Sequence, residues 1–154
     1  MTASAHLATG AVCGLTVQKY LPENYGLFER VAVGFVAGVL SHVLTDAIPH
    51  EEYGFKGYKL GAVLLFEISA VLLLVLSSPS SATMKLVIFS AMAGAAFPDL
   101  LTMSYDFTKW GWIRILDDFF HTFHGKIPLG FQVSLWYQVI IALASIIFVK
   151  LKST

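Results

Sequence analysis

The stretch SHVLTDAIPH, residues 41–50, places His42, Asp46 and His50 at four-residue intervals. Residues four apart share one helix face with Cβ atoms about 5–6 Å apart, so an imidazole nitrogen and a carboxylate oxygen can reach one ion at about 2.0–2.2 Å. His42 and Asp46 therefore form a two-point metal cradle. Pro49 is expected to end the helix, since the residue before a proline is biased away from helical backbone. His50 is then free to fold back over the helix end. Asp117, His121 and His124 repeat the pattern at i, i+4 and i+7. Asp99, placed by Pro98 at an expected helix end, can complete the shell or serve a second ion, and His6 adds a further imidazole.

The donor types narrow the metal. Cys13 is the only cysteine, which excludes an intrachain disulfide, a cysteine-based zinc finger and an iron–sulfur site. A His and carboxylate set favours zinc, with manganese or iron as less suited occupants. Water bound to such an ion is a strong nucleophile near neutral pH. Glu51, Glu52 and Glu67 are carboxylates available as a general base, and Arg114, Lys126 and Lys109 are cations available to hold an anionic substrate.

Composition decides what must position these groups. Of 154 residues, 56% are hydrophobic and 13% charged, against roughly 25% charged in a soluble domain; the mean hydropathy is +0.73. This describes a single-domain, all-α integral membrane protein, with the lipid bilayer as its solvent. Formal net charge is zero, and no basic run interleaved with aromatics points to nucleic acid. The N-terminal segment lacks the basic start of a cleaved signal peptide. Membrane-protein partners or a second copy of the chain are compatible with the composition.

Five runs have about the 17–25 residues that cross a hydrocarbon core. They cover about 3–20, 29–48, 58–78, 84–101 and 128–150, giving a bundle of four to five transmembrane helices, with the first the weakest. Gly34, Gly38, Ala91, Gly94 and Ala95 are small residues that let helices approach closely. The connector TMSYDFTKWGWIRILDDFFHTFHGKI, residues 102–127, mixes Trp110, Trp112 and Phe119 with Asp106, Lys109 and Asp118. That pattern predicts an amphipathic helix over about 105–125, lying at headgroup level between the last two spans.

Alternation of the spans brings the polar residues together. With the chain starting on one side, the second helix returns there carrying His42, Asp46 and His50, the fourth returns carrying Asp99, and the connector holds His121 and His124. All five histidines then face one end of the bundle. Glu67 lies nine residues into the third helix, roughly 13 Å deep at 1.5 Å per residue. Ionisable groups at such depth are costly and are functional candidates by default; a structural pairing is the other reading for Glu67.

Taken together, His6 with Leu7, GVLSHVLTD (38–46), FPDL (97–100) and FHTFHG (120–125) resemble the membrane-bound metal-dependent hydrolase family of bacterial inner membranes. Its H-x-x-x-D element is similar to the zinc-ligand spacing of zinc-dependent phospholipase C. The resemblance implies a bacterial or archaeal plasma-membrane enzyme in which a metal-activated water attacks an ester or phosphoester of a lipid-like substrate at the bilayer surface. FPDL offers Asp99 alone where that family has two acidic residues and a histidine. That difference supports an alternative, a non-catalytic subunit of a larger membrane complex that keeps a structural metal or polar cluster. A haem-binding protein with His42 and His121 or His124 as axial ligands is the third reading.

Overall fold

The computed structural model describes residues 1–54 and 56–153. Among the described residues the chain is all-helical: α1 (Ala3–Tyr20), α2 (Leu27–Asp46), α3 (Tyr58–Leu76), α4 (Ala82–Thr108), α5 (Gly111–Phe120) and α6 (Leu135–Lys152). Four of these, α2, α3, α4 and α6, are long and apolar enough to cross a membrane. Side-chain oxygens accept from otherwise orphaned backbone N–H groups at two helix starts: Thr2 from Ala5 at 3.3 Å and Ser81 from Met84 at 3.2 Å.

The first run forms α1, as expected, but it is not among those four helices. Its residues are small or weakly apolar because it faces protein: it packs against α2, α3, α4 and α6. Ala5, Ala8, Ala11 and Leu15 are buried along it. The second scaffold contact is the crossing of α2 and α4. A Cβ on Gly38 would lie 1.9 Å from the Ala91 carbonyl oxygen, and one on Gly94 would lie 2.1 Å from that of Phe35. The two backbones touch, as the small-residue faces of these helices allow.

Three expected boundaries are corrected. α4 does not stop near 101 but continues through Pro98 to Thr108, where Lys109 takes a left-handed backbone and ends it. A proline inside a helix forfeits the backbone hydrogen bond to the carbonyl four residues earlier, here that of Gly94; the next carbonyl, that of Ala95, accepts from His42. α6 begins at Leu135 rather than 128. Residues ahead of it run alongside the end of α2, with Gly125 donating to the Asp46 carbonyl at 2.8 Å, Ile127 to Ala47 at 3.0 Å and Val133 to Pro49 at 2.8 Å. The segment expected over 105–125 holds a shorter helix, α5, preceded by the last turn of α4. α5 buries Ile113 and leaves Trp112, Ile115 and Phe119 exposed.

α3 is docked unevenly. Val71 and Val75 in its second half are buried, and it packs on α1 and α6 rather than on α4. Among the described residues nothing lies within 4 Å of where a Cβ on Gly61 would stand.

These contacts set opposite outcomes for two glycine substitutions. Gly38→Ala is expected to force α2 and α4 apart and to destabilise the fold by about 1–3 kcal/mol or more. Gly61→Ala, in open space inside a helix, is expected to stabilise by about 0.5–1 kcal/mol. Unfolding titrations in detergent micelles measure both.

Candidate metal centre

Seven residues meet where the N-terminus of α1, the C-terminus of α2, the second half of α4 and the turn after α5 converge: His6, His42, Asp46, His50, Asp99, His121 and His124. Three overlapping groups place one donor atom each within 4.8 Å of one another: His6, His42 and Asp99; His42, Asp46 and His121; Asp46, His50 and His124. The first and last share no residue, so more than one arrangement of the donors could hold an ion.

Four of the imidazoles are held by the same device. A carbonyl oxygen only accepts, so the ring nitrogen facing it carries the proton. His42 Nδ1 donates to the Ala95 carbonyl at 2.8 Å, His50 Nδ1 to that of Ile48 at 2.7 Å, and His121 Nδ1 to that of Asp117 at 3.0 Å. His6 Nδ1 faces the Thr45 hydroxyl at 3.1 Å. The hydroxyl proton is committed to the Ser41 carbonyl at 2.9 Å, shared with that of His42 at 3.1 Å, so the Thr45 oxygen accepts from His6. In its neutral form each ring therefore offers the lone pair of Nε2 inward. Fixing the tautomer through the far nitrogen is how metal-ligating histidines are oriented.

Apart from His50 Nε2, which contacts the Met1 amine, the spacing around those nitrogens is longer than a direct hydrogen bond. His6 Nε2 and His42 Nε2 are buried without a hydrogen-bond partner, and their rings stack with centroids 4.1 Å apart. His6 Nε2 and His50 Nε2 each lie 3.5 Å from Asp46 Oδ1, while His42 Nε2 and His121 Nε2 lie 3.9 and 3.8 Å from Asp99 Oδ1. Hydrogen bonds to nitrogen run roughly 2.7–3.2 Å. Two ligands about 2.0–2.2 Å from a tetrahedral ion stand roughly 3.3–3.6 Å apart. The 3.5 Å pairs match the spacing of ligands across a metal, the pairs to Asp99 are a few tenths longer, and the groups could hold a metal ion.

The remaining contacts brace the cluster. Asp46 Oδ2 pairs with His124 Nδ1. The Met1 nitrogen donates to Asp46 Oδ1 at 3.0 Å and also contacts His50 Nε2. Asp117 takes the Thr102 hydroxyl at 2.6 Å while its Oδ1 stands 2.9 Å from His121 Nδ1. Burial pushes the His50 imidazole down, which keeps it in the neutral form a metal requires. Asp99, joined by the Asp117 backbone, raises His121 to about 9, so at neutral pH its Nε2 carries a proton that a metal would have to displace.

The other candidate residues lie apart from the donors or serve the scaffold. Glu67 Oε2 accepts from the Ser4 N–H at 3.0 Å and from the Tyr53 hydroxyl at 2.6 Å, tying α3 to α1. That is the structural pairing. Burial, with Glu67 adding to it, pushes the Tyr53 hydroxyl up. Glu51 accepts from the Leu135 N–H at 3.0 Å. Glu52 is mostly solvent-facing, with Oε1 3.5 Å from His124 Nε2. Arg114 and Lys109 are exposed and pair with Asp118 and Asp106 at 3.7 and 3.2 Å. Lys126 is exposed, and neither it nor Arg114 or Lys109 lines the cavity beside the cluster.

Sequence reasoning missed Thr45, the Ala95 carbonyl, Thr102 and Gln138. Gln138 is fully buried; it accepts from the Thr2 N–H at 2.6 Å and donates to the Glu51 carbonyl at 2.9 Å. A glutamine inside an apolar helix was the one available signal, because a buried amide must find partners. Thr45 and Thr102 carry no such mark.

No protein-family model matches the chain, and neither a curated protein nor a solved structure is detectably similar to it.

Purified protein supplied with zinc is expected to retain up to two equivalents by elemental analysis, lost in His42→Ala and Asp46→Ala and kept in Arg114→Ala and Lys126→Ala. Glu67→Ala leaves the Ser4 N–H and Tyr53 hydroxyl without their acceptor. It is expected to lower stability by about 1–3 kcal/mol with zinc content unchanged.

Proposed function

We propose that this chain is a membrane-embedded, zinc-dependent hydrolase that cleaves an ester or phosphoester of a lipid-like substrate. The observation that carries this reading is the common orientation of four imidazoles, each anchored at Nδ1 and presenting Nε2 toward Asp46 or Asp99. A merely structural polar cluster has no need to keep two buried ring nitrogens without a partner; such atoms cost free energy unless something satisfies them. When bound there, zinc supplies Lewis acidity and an activated water.

The chain's own residues supply the rest. His6, His42, Asp99 and His121 hold one side of the site, and Asp46, His50 and His124 hold the other. Glu52, which lines the cavity and is free of the backbone contact that occupies Glu51, would take up a proton from a water bound there. Glu67 is left to its scaffold role. Because the cavity lining contains carboxylates and no lysine or arginine, an anionic head is held by the metal centre rather than by Arg114 or Lys126.

Placement agrees with a substrate drawn from the bilayer. α2, α3, α4 and α6 cross the membrane in this reading. α5 lies at the headgroup level, its exposed Trp112, Ile115 and Phe119 acting as interfacial anchors. A bacterial or archaeal plasma membrane is the setting implied by the sequence resemblance.

Reconstituted protein assayed on a panel of phospholipids and phosphodiesters is expected to turn over at least one of them, and a chelator is expected to abolish turnover until zinc is restored. Glu52→Gln is expected to lower kcat by about a hundredfold, the lower range of general-base contributions, with zinc content unchanged. Zinc-loaded protein inert across the panel defeats the reading.

A further inference from the structure

The cavity beside the metal donors has two unlike ends. One end is the cluster itself, with His6, Asp46, Asp99 and His121 in its wall; the other is a pocket of apolar side chains between α3 and α4, and the whole encloses about 770 Å³. That volume falls in the roughly 300–1,000 Å³ range of small-ligand sites. Its apolar walls are Leu60, Leu64 and Ile68 on α3 and Leu100 and Met103 on α4, with Leu7 of α1 between them.

The fold makes this groove by the way α3 docks. Its second half is seated through Val71 and Val75, whereas Leu60, Leu64 and Ile68 of its first half line the cavity opposite Leu100 and Met103 of α4. Leu60, Leu64 and Ile68 recur every four residues, which aligns them as one stripe about 12 Å long at 1.5 Å per residue. Ionisable groups at one end of an apolar stripe match a molecule with a polar head and a hydrocarbon tail. Both walls belong to helices long and apolar enough to lie in a membrane, so the tail reaches the groove from the bilayer without crossing water.

We infer that the α3–α4 groove binds the acyl chain of an amphiphile and thereby sets its ester or phosphoester head against the metal donors. The inference rests on the hydrolase reading for the role of the head; the groove itself is tested independently. Specificity then follows from chain length and shape, since the stripe contacts carbon, neither lysine nor arginine is among the described residues lining the cavity, and the Met1 amine there is paired with Asp46.

The test is photolabelling of the full-length protein in liposomes containing a phosphatidic acid with a diazirine midway along one acyl chain, with adduct sites mapped by mass spectrometry and bound zinc measured on the same sample. Adducts are expected at Leu64, Ile68, Leu100 and Met103 in preference to Leu65, Phe66 and Leu73, which are also exposed but do not line the cavity. Leu64→Trp is expected to cut groove adducts about tenfold by overfilling the space, while Leu73→Trp leaves them unchanged. Met103→Trp narrows the groove from α4 and replaces Leu64→Trp if that variant does not fold. Adducts spread evenly over both sets, or unaltered by both groove variants, overturn the inference even if zinc is bound. Groove-restricted adducts in a protein that binds no zinc support the groove and remove the hydrolase reading instead.

Discussion

A carboxylate taken out of water must be matched by charge or hydrogen-bond donors, or it costs several kcal/mol. Asp46 is such a group, with its side chain only 5% exposed, and the end of the bundle is arranged around it. His6 of α1, His50 beyond α2 and His124 after α5 approach it from three elements, joined by the Met1 nitrogen. The loop before α6 hydrogen-bonds to the Asp46 and Ala47 carbonyls, which holds His124 in reach. Satisfying one buried charge thus closes the helix ends over one another.

The scaffold that permits this is made of small residues. Because α2 and α4 cross backbone to backbone at Gly38 and Gly94, His42 reaches the Ala95 carbonyl directly, and its ring is locked one turn before Pro98. α1 fits into the centre for the same reason: with Ala5, Ala8 and Ala11 on its buried face, it brings His6 to within stacking distance of His42. Larger side chains at these crossings would widen the bundle and separate the donors by ångströms, where metal ligation tolerates only tenths.

The uneven docking of α3 follows from its residues as well. Val71 and Val75 give it an apolar seat in its second half, and Glu67 ties it to Ser4 and Tyr53 midway. The cavity opens along its first half, where Leu60, Leu64 and Ile68 line it. Glu67 thereby fixes where α3 meets α1 beside that space.

Local geometry alone makes some features readable in the chain. The i, i+4 relation of His42 and Asp46 holds in any helix, Pro49 frees His50 wherever the helix ends, and apolar runs of spanning length identify α2, α3, α4 and α6. Even the convergence of His121, His124 and Asp99 on the same end follows from alternating helices. What depends on contacts between residues far apart in sequence is legible only once the helices are packed. The tautomer of each imidazole is set by Ala95, Ile48, Asp117 or Thr45, and nothing in the local pattern distinguishes those acceptors from their neighbours. The central position of α1, the passage of α4 through Pro98 and the gap between α3 and α4 are likewise outcomes of side-chain volume meeting side-chain volume. Sequence alone determined which residues can bind a metal and that they share one end of an apolar bundle; tertiary packing decided which nitrogen each presents and what space lies beside them.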